Sequence, residues 1–365
     1  MKKILMVSLG RINSYSFETA KIVANYSPES SVIISTFALE RGEKWDELGF
    51  KNVVPVKTYK SMKDVIPATI RFLFKDLPKI KKMAREEHFD ILYAPQSFYL
   101  WLLPIMRACK IRRFITTIHD PNPHSGAFGL ASFVDATVPK HADDIVVLSE
   151  TFREGVKKRY ALDDAHIFTI PCGLYSLYEE TVPLKELNYA RDKTNFLFFG
   201  RIEKYKGLDV LLDAYEKVKQ MYPVSLTIIG RGELADYEER LARLEDVTVV
   251  NRYIADNEVK SCFTGPKLFL IIPYRDATQS GPIVIAQRYG VPIIATNTGA
   301  IAEQLQYGRG GFLCAPGSAD SLAETMIYAI EHPNEVDQVL LRTKERTDAL
   351  AWDKLATQFE CMFDQ

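Results

Sequence analysis

The chain has 365 residues, enough for two domains that each bury a core of their own. Its formal net charge is −1 with 25% charged residues, so bulk charge does not describe a nucleic-acid binder. The five cysteines, Cys109, Cys172, Cys262, Cys314 and Cys361, are odd in number and widely spaced, which argues for a reducing compartment and against a disulfide frame or a zinc site.

In chain order, Met1-Lys2-Lys3 precedes the short apolar run Ile4 to Leu9. Gly10-Arg11 ends that run too early for a signal peptide, so it reads as a first buried strand. Further strands are expected at Ser31 to Phe37, Val53 to Lys57, Asp90 to Ala94, Arg113 to His119, Asp144 to Leu148 and His166 to Ile170. A second series follows at Asn195 to Phe199, Val224 to Ile229, Val247 to Asn251, Lys267 to Ile272, Pro292 to Thr296 and Gly311 to Cys314. Helical patterns separate most of these runs, and continuous apolar strands alternating with helices mean parallel sheets covered on both faces. The expectation is an α/β chain of two doubly wound, Rossmann-like domains, 1–180 and 181–350, followed by a C-terminal helix in 351–365. The polar stretch Tyr178 to Thr194 is the linker candidate. No apolar run approaches a membrane span.

The segment Lys57 to Arg85 differs in character. Its many lysines and arginines are opposed by Asp64 and Asp76 alone and interleave with Val65, Ile66, Ile70, Phe72, Leu73, Phe74, Leu77 and Ile80. That mixture suits an anionic membrane surface. It suits equally a solvated helix face over a packed one, and both readings stand. No nucleic-acid reading motif accompanies the charge.

Three loops carry candidate chemistry. His119, Asp120 and His124 lie where a strand enters a Pro/Gly-rich loop, a place where function concentrates because such loops need not pack. Turn chemistry is the alternative there, and no fourth metal ligand is visible. Gly200-Arg201 with Lys206-Gly207 places two cations on a strand-to-helix turn, between a buried strand and the periodic run Leu208, Leu211, Leu212, Tyr215 and Val218. Fixed positive charge on a permissive backbone near a helix N-terminus is an anion site. Gln279-Ser280-Gly281-Pro282 follows another apolar strand; Ser280 and Gly281 are good N-caps and Pro282 suits the first helical turn, so the helix presents free N–H groups. Taken singly, the last two loops read as well as a surface turn with two solvated charges and an ordinary αβ connection; together they read as a diphosphate clamp.

On these residues the chain resembles the GT-B-fold glycosyltransferases of family 4, retaining enzymes that use nucleotide sugars. The resemblance is strongest from Asn195 to Phe312. It rests on Gly200-Arg201 with Lys206-Gly207, Ile229-Gly230-Arg231-Gly232, Gly290 to Thr296, Gly299 with Glu303, and Gly310-Gly311-Phe312. Weaker support comes from His119-Asp120, Ile145 to Glu150 and Ile170-Pro171-Cys172-Gly173. It implies two domains facing each other across a cleft, with the last helix crossing back to the first domain. It implies Arg201, Lys206, His119 and Asp120 as catalytic residues. Gly10, Gly200, Gly230, Tyr253, Gln279, Ser280, Gly281 and Glu303 would bind the donor: Tyr253 near the base, Glu303 at the nucleotide sugar. No metal and no permanently bound cofactor is implied. The donor is a nucleoside-diphosphate sugar, with UDP favoured over GDP or dTDP, and the acceptor a glycan or lipid-diphosphate-linked glycan of bacterial-type surface polysaccharide. The location implied is cytoplasmic, on the membrane's cytoplasmic face if Lys57 to Arg85 meets lipid.

One departure stands out. The two glutamates usual in the family fall on Ala277 and Ile285 here. Some polysaccharide-assembly members carry a Gln-Ser-Gly loop at this place, so the loss reads as a subfamily trait. The rival readings are a sugar-nucleotide epimerase of the same architecture and a degenerate scaffold of a polysaccharide-assembly complex.

Overall fold

The computed structural model describes residues 1–10, 14–40, 44–59, 61–97, 99–121, 137–174 and 182–365. The chain forms two compact units, Met1–Gly173 with Trp352–Gln365, and Leu174–Ala351.

The first unit is built on seven parallel strands in the order β3-β2-β1-β4-β5-β6-β7. They are β1 (Ile4–Ser8), β2 (Ser31–Ser35), β3 (Asn52–Val56), β4 (Ile91–Ala94), β5 (Arg113–Ile118), β6 (Asp144–Val147) and β7 (Ile167–Thr169). The second expected strand stops at Ser35 rather than Phe37. The Ser35 hydroxyl accepts from the Phe37 N–H at 3.3 Å and starts a helical turn, Thr36–Leu39. Capping of this kind competes with the ladder and ends it. The last helix, Trp352–Asp364, buries Leu355, Phe359, Met362 and Phe363. Phe359 and Phe363 meet Tyr93 of β4, and Phe363 also meets Tyr26.

The second unit holds six parallel strands in the order β10-β9-β8-β11-β12-β13. They are β8 (Thr194–Phe199), β9 (Val224–Ile229), β10 (Val247–Val250), β11 (Leu268–Ile272), β12 (Ile293–Thr296) and β13 (Phe312–Cys314). Alternation along β8 divides its side chains between two cores. Phe196 and Phe198 join one with Leu211, Tyr215 and Met326, while Leu197 joins the other with Ile229, Ile283 and Ile301. A strand buried on both faces is the reason its sequence reads as an unbroken apolar run.

The expected linker is only partly described, since 175–181 lie outside the described residues. The remainder is tied down. Leu184 is buried in the second core, the Tyr189 hydroxyl donates to the Cys262 carbonyl, and the Asn195 carboxamide bonds both the N–H and the carbonyl of Ala190. Scattered charge made this stretch look free; a few anchoring side chains fix it.

In both sheets the strand order reverses once, between β1 and β4 and between β8 and β11. Crevices beyond the carboxyl ends of strands at such switch points are where doubly wound sheets bind ligands.

Candidate functional site

In the second unit the loops beyond β8, β9, β11 and β12 approach so closely that only glycine fits. A Cβ on Gly230 (φ +147°) would lie 1.8 Å from the Gly200 carbonyl oxygen. One on Gly207 (φ +67°) would lie 2.1 Å from the Pro273 carbonyl oxygen. These contacts press the loop carrying Lys206 onto the end of β11.

Lys206 is 8% exposed. Its ammonium donates to the Tyr274 hydroxyl at 2.8 Å and sits 4.5 Å from the centroid of the same ring. Among the described residues no carboxylate pairs with it. Burying a charge costs several kcal/mol unless a partner compensates, roughly. A hydroxyl and two aromatic rings compensate only part of that cost.

Arg201 behaves differently. Its side chain is 73% exposed and pairs with Glu203 at 2.8 Å. The turn that brings Lys206, Gly200 and Tyr274 together thus leaves Arg201 exposed and paired with Glu203, and the expected pair of cations becomes one buried and one at the surface.

The second clamp loop opens the helix Gly281–Tyr289 with Ser280 at the N-cap and Pro282 in the first turn. Ser280 does not cap with its side chain. Its hydroxyl lies 3.5 Å from the Tyr274 hydroxyl. Its N–H donates to the Gln304 Oε1 at 2.9 Å, and Gln304 Nε2 donates to the Ser280 carbonyl at 3.3 Å. The Ser280 N–H is therefore spent inside the protein, a correction to its expected role. The open positive end begins at Gly281, which is exposed, whose N–H has no partner among the described residues, and around which a Cβ would meet nothing within 4 Å. Gln279 is half-buried beside it. Ala277 and Ile285, where the family's glutamates would fall, are buried in the core.

Glu303 sits on the short helix Ile301–Gln304, where its charge acts on Arg346, whose own pKa burial lowers. Tyr253 is 55% exposed. Neither touches Lys206. Tyr274 and Gln304 are the residues that sequence reasoning missed. The sole signal was a tyrosine ending an otherwise aliphatic run.

In the first unit His119 follows β5. Its Nε2 lies 2.8 Å from the Pro95 carbonyl, so that nitrogen carries the proton. Burial lowers its pKa, with Pro95 and Asp120 opposing. Burial thus favours the neutral ring, in which Nδ1 is the acceptor. It packs edge-on against Tyr15, centroids 4.8 Å apart, and Tyr15 meets Trp352. Asp120 is exposed and Gly10 buried. His124 lies outside the described residues. Among the described residues no group of three or more His, Cys, Asp or Glu side chains is placed to hold a metal.

The basic segment divides. Phe72 is fully buried and stacks on Trp101 at 4.4 Å, with Ile80 and Ala84 also packed inward. Ile66 (72%), Ile70 (54%) and Phe74 (81%) stay exposed. Among the described residues no helix is long and apolar enough to cross a membrane.

Two units of doubly wound parallel sheet are the architecture of the GT-B class. The family model "Glycosyl transferases group 1" matches residues 193–332, and "Glycosyltransferase Family 4" matches 32–175. The chain belongs to the GT-B glycosyltransferases of the family 4 type. It is similar to the phosphatidyl-myo-inositol mannosyltransferase of Mycolicibacterium smegmatis, 24% identical over 97% of this chain and 90% of the relative. A 41.2 kDa protein of unknown function from the cps region of Klebsiella pneumoniae is 32% identical over 39% of this chain and 38% of its own. Among solved structures, Anabaena HepE in complex with UDP and glucose superposes with a TM-score of 0.72 at 17% identity, over 100% of both chains. The sucrose-phosphate synthase of Thermosynechococcus elongatus gives 0.75 at 15% identity, over 100% of this chain and 99% of the other.

Proposed function

We propose that this glycosyltransferase moves a sugar, with retention of anomeric configuration, from a nucleoside-diphosphate sugar to a hydroxyl of a glycan or lipid-diphosphate-linked acceptor in surface-polysaccharide assembly. The observation that carries the reading is the buried Lys206 ammonium, held by Tyr274 without a carboxylate among the described residues.

As the bond from the anomeric carbon to the phosphate oxygen breaks, its electron pair goes to the β-phosphate. Lys206 and the Gly281 N–H meet that charge, and they need no reorganisation because they are already fixed. The acceptor oxygen bonds to the anomeric carbon from the same face, and its proton passes to the departing phosphate oxygen. No protein base is required. Arg201 releases Glu203 to join the phosphates. His119, neutral, offers Nδ1 as an acceptor for a sugar hydroxyl. UDP is the favoured nucleotide, a choice supported by the UDP complexes of HepE. The exposed Ile66, Ile70 and Phe74 beside the lysines of the same segment fit an acceptor held at an anionic membrane surface.

A screen of nucleotide-sugar hydrolysis tests this. Release of one nucleoside diphosphate, lost in Lys206→Ala, is the expected result. Interconversion of sugar nucleotides without release would make the protein an epimerase. Calorimetry showing no binding of UDP, GDP or dTDP would make it a scaffold.

A further inference from the structure

The loop that opens the second clamp helix is held along its length by the chain that follows β12. Gly299 (φ +52°) lies so close that a Cβ on it would come within 1.6 Å of the Ala277 carbonyl oxygen. The Ala300 N–H donates to the Thr278 carbonyl at 2.9 Å. Gln304, one helical turn on, closes the series: its carboxamide accepts from the Ser280 N–H and donates to the Ser280 carbonyl. Gln287, 4% exposed on the helix that Ser280 precedes, donates in return to the Gln304 carbonyl at 3.1 Å. Two glutamines thus fasten the helices Gly281–Tyr289 and Ile301–Gln304 to each other.

This fastening decides what the helix start can offer an anion. A helix begins with up to four N–H groups that its own turns leave free. Here the Ser280 N–H goes to Gln304, Pro282 has none, and the Ile283 N–H donates to the Ser280 carbonyl at 3.2 Å. Gly281 is left to present its N–H alone in this stretch. A single donor is useful only where it is aimed, since a small misplacement forfeits most of its effect. The Gly281 N–H and the Ser280 carbonyl belong to one peptide unit, planar and trans. Whatever holds that carbonyl therefore sets the direction of that N–H. Ser280 makes no side-chain cap of its own, and Gln304 is the side chain that reaches both of its backbone groups.

We propose that Gln304 is a positioning residue of the transfer reaction: its carboxamide fixes the Ser280–Gly281 peptide plane and so aims the Gly281 N–H at the departing phosphate. The proposal rests on the transferase reading above. It gives the reaction a residue that touches neither sugar nor nucleotide and that acts through backbone alone.

The test is a double-mutant cycle in the full chain. Gln304→Met keeps the length of the side chain and deletes both hydrogen bonds to Ser280. Gly281→Pro deletes the N–H itself; proline is accepted in the first turn of a helix, and a Cβ at this position meets nothing within 4 Å. Melting curves establish that each variant is folded, and hydrolysis of UDP-glucose, UDP-galactose and GDP-mannose gives kcat and KM. Each single change should lower kcat about tenfold and move KM by less than about threefold, because the donor acts on charge that develops in the transition state. The double variant should be about as slow as either single one, since Gln304 then has no N–H to aim. Should Gln304→Met not fold, Gln287→Met loosens the helix that carries Gln304 and should lower kcat about threefold, a loss absent in the Gly281→Pro background. Losses that multiply to about a hundredfold in the double variant would make Gln304 a packing residue and overturn the proposal. A folded Gln304→Met protein with the parent's kcat would overturn it too, and both results leave the transferase reading intact. A parent that releases no nucleoside diphosphate from any nucleotide sugar would overturn that reading and the proposal with it.

Discussion

The Lys206 ammonium donates to the Tyr274 hydroxyl across 68 residues of sequence, and both groups are buried. Tyr274→Phe deletes that oxygen and little else. Lys206→Ala should lower turnover by roughly two to three orders of magnitude, the scale of a lost oxyanion donor. Tyr274→Phe should cost about tenfold, because the ammonium stays but loses its fixed position. Arg201→Ala should cost less than Lys206→Ala, since Arg201 is exposed and engaged with Glu203. Steady-state rates of nucleotide release rank the three, and an Arg201 effect larger than that of Lys206 would reverse the assignment.

The glycines at the loop crossings give a stability test. Gly230→Ala sets a Cβ 1.8 Å from the Gly200 carbonyl oxygen, a backbone atom that cannot step aside. A loss of about 3 kcal/mol or more is expected. Gly290 also has a positive φ, +64°, but a Cβ there meets nothing within 4 Å. Gly290→Ala should cost about 1 kcal/mol, the left-handed backbone alone. Denaturant unfolding of both variants checks the ordering.

How much of this was legible beforehand depends on the distance over which the information acts. The strands were legible because each is a continuous apolar run bounded by turn residues, and Phe196 to Phe199 alone nearly dictates a strand buried on both faces. Gly200, Lys206 and Gly207 were legible as a turn. The two cations looked equivalent because sequence does not reveal that Glu203 takes Arg201 while Tyr274 holds Lys206. Gln304 reaches Ser280 over 24 residues and left no local trace. Phe72 and Phe74 could not be told apart either. They lie two apart on one helical run, which passes through a π-helical turn, Phe72–Asp76, and so face opposite ways: the first ring is buried and the second exposed.

His119 predicts a pH dependence. Its folded pKa is lowered by burial from the ordinary value of 6.5, so between 6.5 and the lower folded value the unfolded chain binds the extra proton. Stability contributed by the neutral ring is present above pH 6.5 and falls as pH drops through that window. Replacing His119 with Gln should flatten the fall in Tm below pH 6.5. An unchanged slope would assign the acid loss to other groups.

Activity should survive EDTA. In the proposed mechanism the negative charge of the departing phosphate is met by Lys206, by Arg201 and by the Gly281 N–H, so no divalent ion is needed for neutralisation. Loss of turnover in chelator, restored by Mg²⁺ or Mn²⁺, would contradict this.

The segment Lys57 to Arg85 should bind anionic vesicles weakly and release them as salt rises. The buried Phe72 takes no part, and the apolar contacts come from the exposed Ile66, Ile70 and Phe74. Lys79, Lys81 and Lys82 are exposed on the following helix, Leu77–Glu87. Each basic residue near an anionic surface contributes about 1 kcal/mol, screened beyond a Debye length. Changing the three lysines to Glu should abolish flotation with anionic vesicles. Phe74→Ser should weaken binding with less effect on its salt dependence, since it removes burial and not charge. Both changes should slow transfer to a lipid-linked acceptor more than hydrolysis of the nucleotide sugar. A parent protein that floats with neither anionic nor neutral vesicles would leave the exposed stripe unrelated to lipid and make a soluble glycan the acceptor to pursue.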